Sequence, residues 1–485
     1  ELRAFTGDIL RRPDVTVIPH DGRLHLAGRR DRYDVIDLSL ADSTGLSSPG
    51  GFAIVEKFAY TREAMASYMR ALRPGGILSV TTWNKEEPPK SVLRLYATMA
   101  AAAREVGGLD IARRFFVVSS YLSTTTVLYS RDGFTDAEVA ALRSHSAEMS
   151  FDEIHAPGAP REAEDVAGLL RGYREQIFGA GTGDGEAAPG AEGEAMPSTR
   201  LARAAWRAHV DGTWPAIARD YVFDAHPLTN ARPYFAAYLR AGDLPRVLDR
   251  LDTLQDEWGY LLVWATLAMA CLAAASLVAL PVLFGWRAAF AAQPGKLAAV
   301  AYFACLGLGY IVVEVGLIAQ FVMALGNATI SASVLITGML VFSGLGALAS
   351  ERVRASSPVA MPAIFASICA LLLLFGLGLD RVLDAIGTLD YGLRLACCFL
   401  IVLPPAFLMG FPMPVAMNAL ATLGKQRVFI WAWGINGCFS VIGAALVPIL
   451  ATSIGLDGTL AVCAAAYALA GASFRPLTRG DAVAR

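Results

Sequence analysis

Asp21 and Gly22 directly follow a short apolar run, VTVIP (15–19), and Ser39 and Asp42 follow a second one, YDVIDL (33–38). A carboxylate just past a strand can accept from an amino group, and an adjacent glycine lets a flat ring approach the backbone. Each pair has a plainer reading, Asp21–Gly22 as a turn and Asp42–Ser43 as a helix cap. A third feature is Glu314, near the middle of an apolar stretch at 297–325. A carboxylate at that depth must face a bundle interior, find a partner or stay protonated. Asn327, Asn418 and Asn436 are candidate partners, whereas Gln320, nearly opposite on a helix, is not. Glu314 is read either as a protonated donor joining helices or as a proton, cation or amine site.

The elements that must hold these residues differ between the two halves. Of 485 residues, 55% are hydrophobic and only 17% charged, against about 25% charged in an ordinary soluble chain. The deficit begins near Gly259; before it, charges are spread throughout. A net charge of -2 carries no basic excess for nucleic acid. All seven cysteines lie in the apolar half, which leaves no disulfide framework or zinc site in the first half. No metal is expected. The chain opens at Glu1 inside an expected helix, 2–12, with no signal peptide, and is expected to be a piece of a longer protein.

Strands are expected at 15–18, 33–38, 77–82 and 127–130. A helix over 61–72 should stop at Arg73-Pro-Gly-Gly76. This alternation predicts a Rossmann-like, doubly wound parallel sheet, with ligands beyond the carboxyl ends of its strands. Thr135-Asp-Ala-Glu138 reads as a capping box opening a helix toward Met149. Residues 179–200, rich in Gly, Ala and Glu, read as a flexible loop. The division expected is 1–178 as a partial nucleotide-binding domain, 201–258 as its remainder, 259–474 as a membrane bundle and 475–485 as a tail.

Crossing about 30 Å of hydrocarbon takes about 20 apolar residues. Seven stretches qualify: 259–284, 297–325, 329–350, 359–379, 392–412, 428–452 and 455–474. Small residues at 343–347 and 434–443 suit close helix packing, Trp431 and Trp433 suit an interface, and 415–423 suits a surface helix.

The run VTVIPHDGR…YDVIDLSLADSTG…YTREAMASYMRALRPGGILSVTTW resembles the latter part of the spermidine synthase fold. The stretches TNARPYF (229–235), GLGYIVVEVGLIAQF (307–321), LVFSGLGAL (340–348), FLMGFPMP (407–414) and WAWGINGCFSVIG (431–443) resemble its membrane-integral bacterial branch. The resemblance covers nearly the whole chain. It implies that Asp21 and Gly22 face the adenine of S-adenosylmethionine or its decarboxylated form. The family's glycine-rich first loop and ribose-binding acid have no counterpart here. Of the family's DSSDP motif, Ser39 stands at the catalytic aspartate and Asp42 at the second. The implied reaction is aminopropyl transfer to a polyamine or small amphiphile, with methyl transfer as the rival. A multi-pass transporter and an assembly protein with a degenerate nucleotide fold are the other two classes. The lipid bilayer and a small-molecule substrate are the expected partners, and nucleic acid is not.

The expected location is a bacterial inner membrane with the first half cytoplasmic. Charge is in conflict with that side. Loops after the odd-numbered spans hold Arg287, Lys296, Arg352, Arg354, Lys425, Arg427, Arg475, Arg479 and Arg485; the other side has Arg381 and Arg394 beside Asp380, Asp384, Asp390 and Asp457. Positive residues favour the cytoplasm, which would place the first half outside.

Overall fold

The computed structural model describes residues 7–40, 55–84, 87–107, 110–120, 124–159, 164–179, 195–249, 257–290, 295–355, 357–424 and 428–478. The first half is built on a five-stranded sheet with five strands in the order β1-β2-β4-β3-β5: β1 (Tyr33–Ser39), β2 (Leu72–Trp83), β3 (Phe115–Ser119), β4 (Thr124–Ser130) and β5 (Asp152–His155). Helices α1 (Gly22–Leu26), α2 (Arg62–Ala71), α3 (Ser91–Glu105), α4 (Ile111–Arg114), α5 (Asp136–Glu148), α6 (Val166–Phe178), α7 (Pro197–Asp211), α8 (Trp214–Asp220) and α9 (Leu244–Leu248) surround it.

Three expectations hold and three are corrected. The strand at 33–38, the helix ending before Arg73-Pro-Gly-Gly76 and the capping box are all present. Gly75 takes φ 74, a turn that a residue with a Cβ resists, and Thr135 and Glu138 cap α5 reciprocally. The sheet, however, is mixed. Only β1 and β2 are parallel, whereas β2–β4, β4–β3 and β3–β5 are antiparallel. For β3 and β4 the physical reason is connection length. β1 reaches β2 through α2, but β3 and β4 are separated by only residues 120–123, and a parallel return needs a dozen or more. The expected strand at 15–18 is also absent. Val17 and Ile18 are 56% and 47% exposed, and the flanking Pro13 and Pro19 cannot donate to a ladder. Within the expected helix at 2–12, the described residues form only a 3-10 turn at Ile9–Arg11. Of the stretch 179–200, residues 180–194 lie outside the described residues, and α7 already starts at Pro197.

In β2, Leu78, Val80 and Thr82 are buried and their neighbours half-buried, the period-2 signature of a strand packed mainly on one face. That face carries the large core. Trp206 of α7 is fully buried, 5.2 Å from Tyr96 of α3 and 4.8 Å from Phe115 of β3 between ring centroids. α5 covers the opposite face through Val139, which clusters with Phe116 and Phe134.

The second half is helical: α10 (Trp258–Phe290), α11 (Lys296–Leu325), α12 (Ala328–Ala349), α13 (Ala360–Gly387), α14 (Tyr391–Met409), α15 (Pro412–Thr422) and α16 (Val428–Thr478). Among the described residues, six helices are long and apolar enough to cross a membrane, the last running from Trp431 to Thr478. Gly455 interrupts that last helix with φ 83 and ψ 167. Its two arms lie on the same neighbour in opposite directions. Asn436 donates to Phe303 O at 3.3 Å and Gly443 abuts Ile311, so the first arm runs parallel to α11. Phe474 meets Tyr302, Tyr467 meets Gly309 and Asp457 meets Gln320, so the second arm returns antiparallel to it. The chain reverses at Gly455.

Candidate functional site at the membrane-facing edge of the sheet

In a parallel strand–helix–strand unit the helix begins at the carboxyl edge of the strands. Here that edge is seated on the helical bundle. The N-cap of α2 is Thr61, whose Oγ1 accepts from Ala64 N at 3.3 Å and donates to Asn230 Oδ1 at 2.9 Å. Asn230 Nδ2 in turn lies 3.5 Å from Asp384 Oδ2 on α13. Phe58, three residues before Thr61, packs into the core of the bundle. At the start of α3, Lys90 pairs with Glu257 at 2.9 Å, immediately before α10, and both side chains are buried.

Asp21 and Gly22 belong to this junction. Asp21 caps α1, its Oδ1 accepting from Leu24 N at 2.9 Å, so the plainer turn-or-cap reading holds for one of its oxygens. Its Cβ lies against Gly326, where any added side-chain atom would collide. Space over Gly22 is open to 4 Å, and Asp21 is exposed. The second carboxylate oxygen of Asp21 and the Gly22 backbone are thus open to solvent. Arg23, next in line, is buried; it forms an ion pair with Asp384, donates to Met323 O at 3.3 Å and sits 5.8 Å over the Phe58 ring. His20 Nε2 is 3.4 Å from Arg394, which also donates to Ala324 O at 3.1 Å.

Ser39 ends β1, exposed and in register with Thr81 of β2. The next residue, Leu40, takes φ 47, a left-handed conformation that costs a bulky residue about 1–3 kcal/mol and concentrates at functional turns. Asp42 lies outside the described residues. Glu56, which the sequence reading passed over, stands at the same edge. Burial raises its carboxyl above the ordinary range, against a hydrogen bond from Tyr234 Oη at 3.2 Å.

The TNARPYF stretch supplies the second seam. Arg232 donates to Thr452 O at 2.8 and 3.1 Å, and Ala231 O accepts from Leu456 N at 2.7 Å, on either side of the break in α16. Behind it, Arg94 of α3, 3% exposed, donates to four carbonyls: Tyr234 at 3.0 Å, Phe235 at 2.7 Å, Asp224 at 2.5 Å and Ala237 at 2.9 Å. Burial would raise the Asp224 carboxyl, but His226, Arg94 and Arg232 outweigh it and hold it well below the usual range. A signal for Arg94 was available: it is a lone cation in the apolar helix SVLRLYATMAAAA.

Glu314 lies on α11, half-buried, with no hydrogen bond or ion pair among the described residues. The expected amide partners are elsewhere: Asn327 caps α12, Asn436 donates to Phe303 O and Asn418 is exposed. Gln320 contacts Asp457 instead. One turn from Glu314, Tyr310 lines a groove of about 540 Å³ bounded also by Ser343, Met413, Trp433, Asn436 and Ser440. Trp433 is 64% exposed, as an interface anchor would be, and α15 covers the expected surface helix at 415–423. A separate cleft of about 360 Å³ lies at the far edge of the sheet, between β5 and α7.

Comparison of the chain with protein-family models, with curated proteins and with solved structures returned no match.

Proposed function

We propose that this chain is a membrane-bound, spermidine synthase-like transferase that uses S-adenosylmethionine or its decarboxylated form. The observation that carries the reading is the orientation of the sheet: the carboxyl edge of β1 and β2, with Asp21, Gly22 and Ser39, is turned onto the apolar bundle. A polyamine or small amphiphilic acceptor concentrated at a bilayer surface would meet the cofactor there. In aminopropyl transfer the amine nitrogen forms a bond to the carbon beside sulfur, the carbon–sulfur bond breaks with its electrons going to sulfur, and a carboxylate takes the ammonium proton. Asp42 is one carboxylate for that step. Glu56 is a second, since burial makes it a better proton acceptor than an ordinary carboxylate. Ser39 serves as a polar contact.

The test is isothermal titration of the full chain in nanodiscs with S-adenosylmethionine and with its decarboxylated form. One form should bind, and Asp21→Ala should weaken it by about 1.5–3 kcal/mol, the loss of a hydrogen bond to a charged group. Unchanged affinity in a folded variant sinks the assignment. Ser39→Asp should raise aminopropyl transfer; absence of product from both forms favours methyl transfer or another chemistry.

Seven membrane crossings are part of this proposal, supported by the opposed directions of the two arms of α16. The membrane is a bacterial inner membrane and the sheet domain cytoplasmic, where sulfonium nucleotides are made. Arg394 and Asp384, counted in the charge comparison, are engaged in docking, which weakens the charge argument against this side without removing it. With seven crossings, a reporter fused after Arg485 should be external; a cytoplasmic reporter overturns the orientation. The transporter reading draws on one observation, the half-buried carboxylate of Glu314 on α11, which has no hydrogen bond or ion pair among the described residues. Substrate flux in vesicles would favour it.

A further inference from the structure

Two side chains meet beside the break in α16, and a third stands on the facing helix. Asp457 lies two residues beyond Gly455, at the start of the returning arm. Gln320 of α11 is 2% exposed and donates Nε2 to Asp457 Oδ1 at 3.4 Å, while its Oε1 has no partner among the described residues. A Cβ on Gly376 of α13 would lie 3.2 Å from the Asp457 carbonyl, and Asp380 follows Gly376 by one turn on the same face.

Helix dipoles account for only part of this. Asp457 is in the first turn of an arm, where a carboxylate is favoured. Asp380 is seven residues before the end of α13, out of reach of the helix dipole. Its neighbour one turn on, Asp384, is compensated by Arg23. Asp380 has no ion pair or hydrogen bond among the described residues, and Asp457 has only the Gln320 contact. The nearby guanidinium groups are committed: Arg23 to Asp384 and Met323 O, Arg232 to Asp224 and Thr452 O. Arg381 is exposed. Two carboxylates and a buried unsatisfied amide oxygen thus converge where sheet domain and bundle join.

We propose that Asp380, Asp457 and Gln320 Oε1 form a binding site for a small monovalent cation. Hard oxygen donors suit an alkali ion or a primary ammonium group, and three side-chain donors fall short of the six to eight oxygens that calcium takes. Carbonyls released at a helix break commonly complete such a shell. The site is independent of the transferase reading, because its test measures only binding.

The test is thermal unfolding of the full chain in zwitterionic nanodiscs at fixed ionic strength, with sodium chloride or ethylammonium chloride replacing choline chloride. Sodium or ethylammonium should raise the midpoint saturably, and which one does so identifies the source of the charge. Asp380→Asn and Asp457→Asn should each raise the half-saturating concentration at least tenfold, whereas Asp34→Asn, on the exposed face of β1, should leave it unchanged. Equal midpoints in all three salts, or a rise that survives in the Asp380→Asn/Asp457→Asn protein, overturns the site. Should the Asn variants not fold, Gln320→Glu decides: a third carboxylate should tighten the cation at least tenfold, and unchanged binding contradicts the proposal.

Discussion

The sheet domain and the helical bundle solve the same packing problem with opposite residues. The sheet core is aromatic: Trp206 lies against Tyr96, Phe115, His155 and His209, with ring centroids 4.8 to 5.8 Å apart. In the bundle the closest approaches are at glycines. A methyl group on Gly307 would overlap the Asn436 carbonyl, on Gly346 the Phe407 carbonyl and on Gly410 the Ser343 carbonyl. The difference follows from the solvent. In water, burying a large ring is itself stabilising. Among lipid tails it is not, so helices gain from close backbone contact. The seam between the halves uses a little of each, Phe58 in the bundle core and Gly326 against Asp21, and adds buried guanidinium groups and single backbone bonds, which fix orientation more than they add stability.

This contrast can be broken from either side. Trp206→Ala should cost about 3–5 kcal/mol in chemical denaturation of the full chain in nanodiscs, and the loss should be confined to the sheet-domain transition. A cost of that size in both transitions would mean that the halves unfold as one unit. Gly346→Ala should act the other way round. Its overpacking should cost about 1–3 kcal/mol in the bundle transition and leave the sheet domain unchanged, whereas a neutral result would show that α12 and α14 can separate freely.

His209 sharpens the comparison through pH. Burial, aided by Arg104, lowers its folded-state pKa to about 3 from 6.5. A depressed folded value means that its neutral form contributes stability above pH 6.5, and that this is lost as pH falls toward 3. At pH 5 the loss is on the order of 2 kcal/mol. His209→Phe should flatten the sheet-domain stability profile between those pH values; a profile as steep as the parent's would assign the slope to other groups. The smallest effect is expected at Asp34, whose ion pair with Arg73 at 3.1 Å is open to solvent. Asp34→Asn should shift stability by less than about 1 kcal/mol, and a larger shift would mean that the start of β2 depends on it.

The local features of this fold were legible because they rest on neighbours in sequence. YDVIDL forms a strand, Thr135 and Glu138 cap one helix, and the apolar stretches form helices. The direction of β3, β4 and β5 was not, since it depends on which strands pair. The site was legible in outline only. Asp21 could be placed after an apolar run, but its neighbour Gly326 lies some 300 positions away, as does Met323 from Arg23. Arg23 and Asp384 are separated by 361 positions, and nothing in the sequence joins them. Glu56 carried no pattern at all, because its character comes from burial beside Tyr234.

The central claim is that the carboxyl edge of the sheet is seated on the bundle through two seams, one at Arg23 and Asp384 and one at Arg232 and Thr452. Hydrogen–deuterium exchange on the full chain in nanodiscs tests it most directly. The Leu456 amide, bonded to Ala231 O at 2.7 Å, and the amides of 229–235 should exchange slowly. Both should speed up together in Arg232→Ala, while those of the α3 core change little. Rapid exchange of both segments in the unaltered protein, or a response of one without the other, would contradict the account.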